Sequence, residues 1–333
     1  MPSVLTIVLN WRTPAMTLDA VAAALTALDG IEGALVIVDN DSQDGSFEQI
    51  AEAIRVRGWD KGPQSVRVIQ AGRNGGYGAG NNVGIRAGLP NGQKPDFVYI
   101  LNSDAFPEMG TVRALLDHMQ AHPQTAFAGS ALYGQEGDHH NSAFRFPSIT
   151  SEFVGQIRFA PLSRMFAHTS VVMPPPVTEA HVHWMAGASL MGRQAALDQI
   201  GLFDETFFLY FEETDLCYRA IKAGWDCVFV PTSRAMHLGS VSTGMRKWQR
   251  IPQYWLDSRM HYFVKNHGVV YAAGATLALL AGGVIWRLRL LFQRKDRGDP
   301  PYFMRDLALH AVRVIGASLR GGRANAAQPQ PGE

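Results

Sequence analysis

Short apolar runs alternate with helical segments through the first 130 residues, and this alternation restricts the fold more than any other feature. The intervening segments are typical of helices that end near Gly30, Arg57, Gly88 and Ala121. Strands that alternate with helices predict βαβ units and a mainly parallel sheet, so the expected fold class is α/β. The runs read as strands are residues 4–9, 35–38, 66–69, 97–101 and 125–128.

Polar clusters follow three of these strands. Asn10 ends the first, residues 39–41 (Asp-Asn-Asp) end the second, and residues 102–104 (Asn-Ser-Asp) end the fourth. Ligands of open α/β sheets bind beyond the carboxyl ends of the strands, so the three placements predict one binding edge. Alternatively, each cluster consists of residues that are common in turns and binds no ligand.

Asp104 and Asn102 could present oxygen ligands to one divalent cation at this edge. Mg²⁺ and Mn²⁺ prefer oxygen ligands and are often shared with substrate phosphates. His237 could add a metal or phosphate ligand, although a lone histidine is more often structural. His181 and His183 would share one strand face, but no further ligand has a recognisable spacing, so the sequence does not predict a zinc site there.

Residues 74–82 (NGGYGAGNN) form a glycine-rich loop that leads into a helix. Its amide N–H groups could cradle a nucleotide or its phosphates. The loop contains neither G-x-G-x-x-G nor G-x-x-x-x-G-K-[ST], which argues against a dinucleotide dehydrogenase and a P-loop NTPase. A tight strand-to-helix turn without a ligand is the alternative.

An acidic cluster, Glu212, Glu213 and Asp215, directly follows the aromatic-rich residues 207–211. A buried carboxylate needs a partner or takes up a proton, so its pKa is adjustable and suits a general base. We expect Thr214 to cap a helix that begins at Asp215, which places both glutamates at the helix entrance. An acidic helix start without catalytic function is the alternative.

The charge balance and the cysteine content argue against several classes of protein. Thirty basic and 29 acidic residues leave a net charge of +1, so no bulk field favours a nucleic-acid partner. The two cysteines, Cys217 and Cys227, make no disulfide framework and fit a reducing compartment. The N-terminus has no secretory-signal pattern. Residues 133–183 read as an irregular excursion that covers the site.

The last hundred residues change character, because residues 268–286 carry no charge and a basic cluster follows. Length alone would allow a bilayer span. Its glycines and alanines, with the basic flank, favour instead a helix in the inner leaflet with arginines on anionic headgroups. A soluble packing helix is the alternative. The predicted divisions are a catalytic domain (1–245), a helical segment (246–322) and a disordered tail (323–333), and the basic cluster is Arg287, Arg289, Arg294, Lys295 and Arg297.

Taken together, the ordered motifs resemble the inverting family 2 glycosyltransferases with a GT-A fold, especially the rhamnosyltransferase-like branch. The matching pieces are VDNDSQDGS, NGGYGAGNNVGI, LNSDA, WMAGASLMGR, GLFDETFFLYFEETDLCYR and the His237 segment, within residues 3–245. The resemblance implies sugar transfer from a nucleotide-diphosphate donor to a saccharide or lipid-linked acceptor in cell-surface polysaccharide synthesis. L-rhamnose from dTDP-rhamnose is the first expectation, and UDP- or GDP-linked hexoses or aminosugars remain open.

The resemblance also implies roles for individual residues. Glu213 would be the catalytic base, with Glu212 and Asp215 as alternatives because the family's usual Glu-Asp pair is Glu-Glu here. The remaining assignments are nucleotide binding by Asn10, Asp39, Asp41, Asn74, Gly75, Gly76 and Ser103, Mn²⁺ or Mg²⁺ binding by Asp104, His237 and Asn102, and a sugar and acceptor pocket shaped by Trp184 and Gly187.

The resemblance further implies a cytoplasmic enzyme, peripheral on the inner face of the cytoplasmic membrane, that could act as a homodimer. Two rival functions remain. A nucleotidyltransferase would place a basic glycine-rich signature after the first strand, where this chain has Asn10-Trp11-Arg12. A catalytically inactive sugar-nucleotide-binding protein would not require both Asp104 and the acidic cluster.

Overall fold

A computed structural model describes residues 2–239, 248–293 and 298–326, and side chains as far as residue 317. The chain divides into two compact units. The first combines Met1–Phe146 with Val172–Arg246, and the second combines Pro147–Val171 with Lys247–Glu333. The domain boundaries drawn from the sequence stay predictions. Arg294, Lys295 and Arg297, and the predicted tail beyond residue 326, lie outside the described residues.

The first unit is built on a sheet in which most pairings between the long strands are parallel. Strands β1, β2, β3 and β4 are parallel to one another, β11 runs antiparallel between β4 and β6, and β12 is parallel to β6. The strands are β1 (Ser3–Asn10), β2 (Glu32–Asp39), β3 (Val66–Gln70), β4 (Phe97–Asn102), β5 (Ala105–Pro107), β6 (Thr125–Tyr133), β7 (His139–His140), β8 (Ala143–Phe144), β9 (Ala180–His181), β10 (Trp184–Met185), β11 (Ser189–Arg193) and β12 (Asp226–His237). Their order is β3-β2-β1-β4-β11-β6-β12-β5, so the expected α/β fold with a mainly parallel sheet is confirmed.

Eleven α-helices accompany these strands in the described part of the chain. They are α1 (Pro14–Ala27), α2 (Ser46–Arg57), α3 (Tyr77–Ala87), α4 (Thr111–Ala121), α5 (Ile149–Ile157), α6 (Ala160–Met165), α7 (Gln194–Ile200), α8 (Glu212–Lys222), α9 (Gln253–His267), α10 (Val269–Leu290) and α11 (Phe303–Ala326). Helices α5, α6, α9, α10 and α11 belong to the second unit, and the others cover the sheet of the first.

Both faces of the central strands are buried, which explains why their sequences are continuously apolar. Alternate residues of a strand face opposite sides of a sheet. Val4 and Val8 of β1 accordingly join one core cluster with α1, α2 and α4. Leu5 and Ile7 join the other, which includes residues of α3 and α8. The strand register then sets Asn10 opposite Asp39, so the polar ends of β1 and β2 lie side by side.

Strand β12 is longer than the sequence indicates. The sequence predicts a strand over residues 226–230 that Pro231 closes, and this is wrong. The strand continues to His237 through a register shift between Val230 and Arg234. Proline cannot donate to the ladder and is tolerated at bulges, so the shift lets the strand pass Pro231. His237 is thereby paired opposite Ala105 in β5.

The stretch predicted to be irregular, residues 133–183, contains two helices, so that prediction is wrong for α5 and α6. Ser148 and Ser151 form a capping box at the start of α5, which fixes where this helix begins. Helix α5 packs against α10. A Cβ atom on Gly282 of α10 would lie 2.7 Å from the Phe153 carbonyl oxygen. The glycines that dilute the hydrophobicity of α10 therefore permit close contact between helix backbones.

Helix α10 is long and apolar enough to cross a membrane by length and composition alone. The mean hydropathy of its most apolar 18-residue window is 1.9, and 39% of that window is buried; a buried core helix passes the same test. Within the second unit, Arg289 donates to the carbonyl oxygens of Ile157 (2.9 Å) and Arg158 (3.2 Å). That arginine, which we expected on lipid headgroups, is therefore engaged by the protein itself.

Candidate active site

The ends of β1 and β2 are joined by a buried hydrogen-bond network around Asp39. The Asn10 amide donates to Asp39 Oδ1 at 2.7 Å, and the Ser42 hydroxyl donates to the same atom at 2.6 Å. The Ser42 N–H donates to Asp39 Oδ2 at 3.2 Å. Thr17 donates to the Asn10 side-chain oxygen at 2.8 Å. Asn10 and Asp39 are almost fully buried, so this network holds the loop that follows each strand.

Asp41 is the more accessible carboxylate of this loop. It is partly exposed, has a φ of 57°, and accepts a hydrogen bond from Gln43 at 3.0 Å. Asn40 connects the loop to the glycine-rich segment, because its amide donates to Asn74 Oδ1 at 3.0 Å and to the Gly76 carbonyl at 3.2 Å. The two segments expected to contact a nucleotide are therefore neighbours.

The glycine-rich loop packs directly against the backbone that precedes the acidic cluster. The Tyr77 N–H donates to the Phe208 carbonyl at 2.9 Å. Gly76 has a φ of 90°, and a Cβ there would lie 1.8 Å from the Phe208 oxygen. A Cβ on Gly75 would lie 2.7 Å from the Ala79 Cβ. These two glycines are thus required by packing, whatever ligand the loop binds.

Helix α8 begins at Glu212, three residues before the predicted start, and Thr214 is buried in its first turn. The Asp215 N–H donates to the Phe211 carbonyl at 2.8 Å, which closes that turn. Tyr210 and Phe211 both have a φ of 70°. Bulky residues rarely adopt positive φ, and such strain costs about 1–3 kcal/mol each, so it persists where the surroundings impose it. The positive-φ backbone at Tyr210 and Phe211 leads directly into the first turn of α8, which contains both glutamates.

Glu212 is buried and Glu213 is half-buried, and the carboxyl groups of both lack full pairing. Within the described part of the chain, the Oε2 atom of each is inaccessible and has no hydrogen-bond partner. Burial raises the pKa of Glu213 to about 7, although the Gly187 N–H opposes this shift. Burial and the neighbouring Glu213 raise the pKa of Glu212 further. A carboxyl group with a pKa near 7 can both accept and release a proton at neutral pH.

Gly187 lies between the acidic pair and the glycine-rich loop. Its N–H bonds the Glu213 carboxyl group, and its carbonyl accepts a hydrogen bond from the Tyr77 hydroxyl at 2.7 Å. A Cβ on Gly187 would lie 2.5 Å from that hydroxyl. Burial raises the pKa of Tyr77 well above its usual value, and the charges of Glu213 and Glu212 add to this shift. The phenol therefore stays a neutral donor beside the acidic pair.

Asp215 differs from the two glutamates. It is completely buried and pairs with Arg219 through a 2.9 Å contact between Asp215 Oδ2 and Arg219 Nε. Arg219 also donates to the carbonyl oxygens of Ile200 and Leu202. The aspartate is thus tied into a network that holds α8 to the preceding segment, which fits a structural role.

Asp104 and His237 meet at the other end of the site. Asp104 follows β4, His237 ends β12, and 3.3 Å separates Asp104 Oδ1 from His237 Nε2. The Leu238 N–H donates to the Asp104 carbonyl at 3.0 Å, which fixes the two segments together. Asn102 is the last residue of β4. Ser103 is buried and accepts a 3.4 Å hydrogen bond from the Thr13 hydroxyl.

A sequence model of the family described as "Glycosyltransferase like family 2" matches residues 2–253. This chain belongs to that family. The N-acetylglucosaminyl-diphospho-decaprenol L-rhamnosyltransferase of Mycobacterium tuberculosis is 29% identical over 255 residues, which cover 73% of this chain and 79% of that protein. Rhamnosyltransferase WbbL of Escherichia coli is 25% identical over 169 residues, 49% of this chain and 60% of that protein.

The fold of this glycosyltransferase is similar to that of a solved structure whose sequence is only distantly similar to this chain. GalNAc-T7, crystallised with UDP, GalNAc and Mn²⁺, superposes with a TM-score of 0.53 at 14% identity, covering 96% of this chain and 57% of that one. The expected family and GT-A fold are confirmed, and so is the expected class of activity, glycosyl transfer.

Trp184 of the glycosyltransferase is stacked on a neighbour, so at most one of its faces is available for a sugar. Its ring lies 4.1 Å from the Phe144 ring at an angle of 12°, and its indole N–H donates to the Arg145 carbonyl at 3.0 Å. The sequence could not show that one face is covered, because Phe144 comes from a different strand. A sugar-stacking role for Trp184 stays a prediction.

Two residues of this site are missed by reasoning from sequence. Tyr77 bridges the glycine-rich loop to Gly187, and Asn82 bridges α3 to the segment before the acidic cluster. The Asn82 amide donates to the Phe203 carbonyl at 2.9 Å and accepts from the Phe203 N–H at 3.0 Å. The sequence does offer a signal for Asn82. An asparagine within a predicted helix must, when it is buried, find hydrogen-bond partners in other segments of the chain.

Proposed function

We propose that this glycosyltransferase moves L-rhamnose from dTDP-rhamnose to a hydroxyl group of a lipid-linked saccharide, with inversion at the anomeric carbon. Two relatives named as L-rhamnosyltransferase and rhamnosyltransferase support the sugar, and one of them is named for a diphospho-decaprenol acceptor. Transfer of another hexose or an aminosugar from a UDP- or GDP-sugar is the alternative within the same class.

The observation that carries the proposal is the incompletely paired carboxyl group of Glu213, whose pKa is raised to about 7 by burial. In the proposed reaction the Glu213 carboxylate accepts the proton of the acceptor hydroxyl. The hydroxyl oxygen bonds to the anomeric carbon from the face opposite the nucleotide as the bond to the diphosphate oxygen breaks. The proton remains on Glu213, and the nucleoside diphosphate leaves with the electron pair.

Glu212 and Tyr77 would prepare Glu213 for this step. Burial and the charge of Glu213 raise the pKa of Glu212 well above its usual value, which disfavours a second negative charge beside Glu213. Two adjacent carboxyl groups titrate as a pair, and separating their pKa values gives each one role. The Tyr77 hydroxyl holds the Gly187 carbonyl, and the Gly187 N–H points at the base. We assign Asp215 a structural role because Arg219 already pairs with it.

Asp104 and His237 would hold Mn²⁺ or Mg²⁺, with Asn102 as a further oxygen donor. Their ligand atoms are 3.3 Å apart, which suits neighbouring positions around one ion with bonds of about 2.1 Å. Asp104 is buried, so its carboxylate gains from a cationic partner. When bound, the ion would neutralise charge that develops on the departing diphosphate.

Asp41 is the accessible carboxylate proposed to hydrogen-bond the nucleoside, while Asp39 and Asn10 hold its loop.

The second unit is proposed to contact the inner membrane surface. Helix α10 exposes an apolar stripe at positions spaced by whole helical turns. Within this stripe Val270 is 83% and Leu277 66% exposed, and it continues through Val284, Leu288 and Leu291. An exposed apolar face on a helix that is otherwise packed fits insertion at the interface. Such attachment would keep the enzyme near a lipid-linked acceptor.

A transfer assay with several donors tests the proposal. Purified enzyme is incubated with Mn²⁺, a short-chain polyprenyl-diphosphate N-acetylglucosamine, and dTDP-rhamnose, UDP-hexoses, UDP-aminosugars or GDP-mannose in turn. Product formation from dTDP-rhamnose alone supports the rhamnosyltransferase. Faster transfer from another donor would replace the sugar and keep the class. Donor binding by calorimetry without transfer from any donor would indicate an inactive sugar-nucleotide-binding protein.

A further inference from the structure

A group of metal-ligating side chains lies at the edge of the sheet opposite the candidate active site. His118 lies in the last turn of α4, His122 is the residue that caps this helix four positions later, and Glu179 precedes β9. One potential ligand atom from each of the three residues lies within 4.8 Å of the other two. All three belong to the first unit and to the described part of the chain.

The site is remote from Asp104 and the acidic pair. His118 contacts Thr125, the first residue of β6, and Thr125 pairs with Asp226, the first residue of β12. His237 is the last residue of the 12-residue strand β12. At about 3.3 Å per residue, the two ends of β12 are on the order of 30 Å apart. The cluster therefore takes no part in binding the donor.

We propose that His118, His122 and Glu179 bind a divalent transition-metal ion such as Zn²⁺, in a site separate from the one used for sugar transfer. Two imidazoles and one carboxylate are a recognised zinc ligand set that leaves one coordination position open. Imidazole ligands also favour Zn²⁺ over Mg²⁺ or Ca²⁺.

The hydrogen bonds already prepare both imidazoles. His122 Nδ1 lies 3.0 Å from the His118 carbonyl oxygen, which can only accept, so Nδ1 carries the proton and Nε2 keeps its lone pair. A ligating histidine usually fixes its other N–H in this way. For His118, Nε2 accepts from the Thr125 hydroxyl at 3.2 Å, and Nδ1 donates its proton to Glu179 Oε2 at 2.9 Å. A metal ion would replace the proton between these two atoms.

The three ligand atoms lie within 4.8 Å of one another, so a bound ion would also draw His122 to the ligand spacing described next. Two ligands about 2.0–2.1 Å from a tetrahedral zinc stand about 3.3 Å apart, slightly more than the present 2.9 Å. The Glu179 side chain is 47% exposed and can make this shift. The cluster opens into a pocket of about 440 Å³, which His181 also lines and where it could fill the open position.

A bound ion would tie the segment before β9 to the C-terminal end of α4. Glu179 and His181 reach this place from a part of the sequence about 60 residues after His118, as the 61-residue separation of His118 and Glu179 shows. In the described structure, the hydrogen bond between His118 and Glu179 connects these two segments. Coordination would replace that bond with a stronger link, so the ion would act on stability and leave the chemistry of transfer unchanged.

Zinc binding by tag-free protein tests the inference. Wild type, His122→Ala, Glu179→Gln and the control His168→Ala are dialysed against Zn²⁺, and bound metal and affinity are measured by elemental analysis and calorimetry. His122, Glu179 and His168 are exposed, so these variants should fold. We avoid His118 because it is buried. Zn²⁺ could also bind at Asp104, so each protein is measured again with Asp104→Asn.

We expect one zinc equivalent that survives Asp104→Asn and His168→Ala. His122→Ala or Glu179→Gln should weaken that equivalent by at least about 10-fold, since loss of a mere outer partner already costs that much. Saturating Zn²⁺ should raise the Tm of wild type and His168→Ala but not of His122→Ala. The inference is overturned if His122→Ala and Glu179→Gln bind zinc with wild-type stoichiometry and affinity, or if no equivalent remains in Asp104→Asn.

Discussion

Two sets of buried carboxyl groups in this glycosyltransferase differ in how fully they are paired. Asp39 accepts hydrogen bonds from Asn10 and Ser42, and Asp215 pairs with Arg219. Glu212 and Glu213 lie nearby, yet each leaves one buried oxygen without a partner among the described residues. The first set has the pairing that a stable ionised carboxylate needs. The second set lacks it, and burial raises the pKa of both glutamates, with the charge of Glu213 adding to the shift at Glu212.

The comparison distinguishes two roles of a buried carboxyl group. A fully paired buried carboxylate organises structure, because removing it leaves its partners unsatisfied. A carboxyl group that is buried without full pairing can exchange a proton near neutral pH, as a general base must. Replacing a carboxylate of the first set should therefore reduce stability, and replacing Glu213 should reduce activity.

The largest effect is expected from Glu213→Gln. Glutamine keeps the volume but cannot accept a proton, so kcat for sugar transfer should fall by about 10²- to 10⁴-fold, while the Tm and donor binding stay close to wild type. Glu212→Gln is the matched control, and it should retain more activity. If Glu212→Gln or Asp215→Asn abolishes transfer while Glu213→Gln is fully active, the base is misassigned.

Asp215→Ala should act on stability. Removing one partner of a buried ion pair costs about 3–5 kcal/mol, and here Arg219, whose side chain is only 20% exposed, would lose its fully buried carboxylate partner. Denaturant unfolding measures the loss. Asp117→Ala, which removes a carboxylate that is 62% exposed, is the control and should change stability by about 0.5 kcal/mol or less. A stable Asp215→Ala protein without activity would contradict the division between the two sets.

Metal removal tests the opposite end of the site. EDTA should abolish transfer, and Mn²⁺ or Mg²⁺ should restore it. Asp104→Asn should weaken the metal-dependent binding of nucleoside diphosphate by at least about 10-fold, since a neutral amide replaces an anionic ligand. His140→Ala, which removes a ring that neighbours His237 at 6.1 Å, is the control. Full activity of wild-type enzyme in chelator would show that transfer needs no metal ion.

The pH dependence should report the acidic pair. Below the Glu213 pKa of about 7 the base is increasingly protonated, so kcat/KM should fall about tenfold per pH unit. Stability should change in the opposite direction. The folded protein holds the proton more tightly than the unfolded chain, so wild type should lose stability relative to Glu213→Gln as pH rises from about 4.5 to about 7. Equal pH dependence of unfolding in both proteins would contradict the raised pKa.

The smallest effect is expected at the membrane. Full-length protein should sediment with vesicles that contain anionic lipid, and higher salt should release part of it, because exposed charges are screened within about 8–10 Å. Leu277→Ser with Leu288→Ser should reduce this binding, since both residues lie on the exposed stripe of α10. Val56→Ser, at an exposed position of α2, is the control. Equal sedimentation of all three proteins would show that the stripe does not bind lipid.

The parts that could be predicted from sequence are those that depend on neighbours along the chain. The apolar runs of β1, β2 and β4 are continuous because both faces are buried, and the polar residues at their ends need only the rule for open sheets. The acidic cluster could be predicted because its carboxylates follow an aromatic run directly. The GT-A fold followed from several such local motifs in one order.

The parts that could not be predicted depend on distant contacts. Helix α8 begins early because the backbone at Phe208 is held by Tyr77, more than a hundred residues away in the chain, and Tyr210 and Phe211 adopt positive φ beside it. The pairing of α5 with α10 depends on glycines whose purpose appears only when Phe153 lies against them. The proposed zinc site likewise combines His118 and His122 with Glu179 from a separate segment, so the spacing of the two histidines does not reveal the whole set.

The register shift at Pro231 divides β12 into two independent halves. The first half pairs with β9 through Val228, and the second pairs with β5 through Ala235. A change within residues 231–233 would redirect the second half, and with it His237, while the first half keeps its partners. The orientation of His237, the proposed metal ligand, can therefore change while the hydrophobic core stays the same. The bulge is a place where members of one fold could come to differ in the donor that they accept.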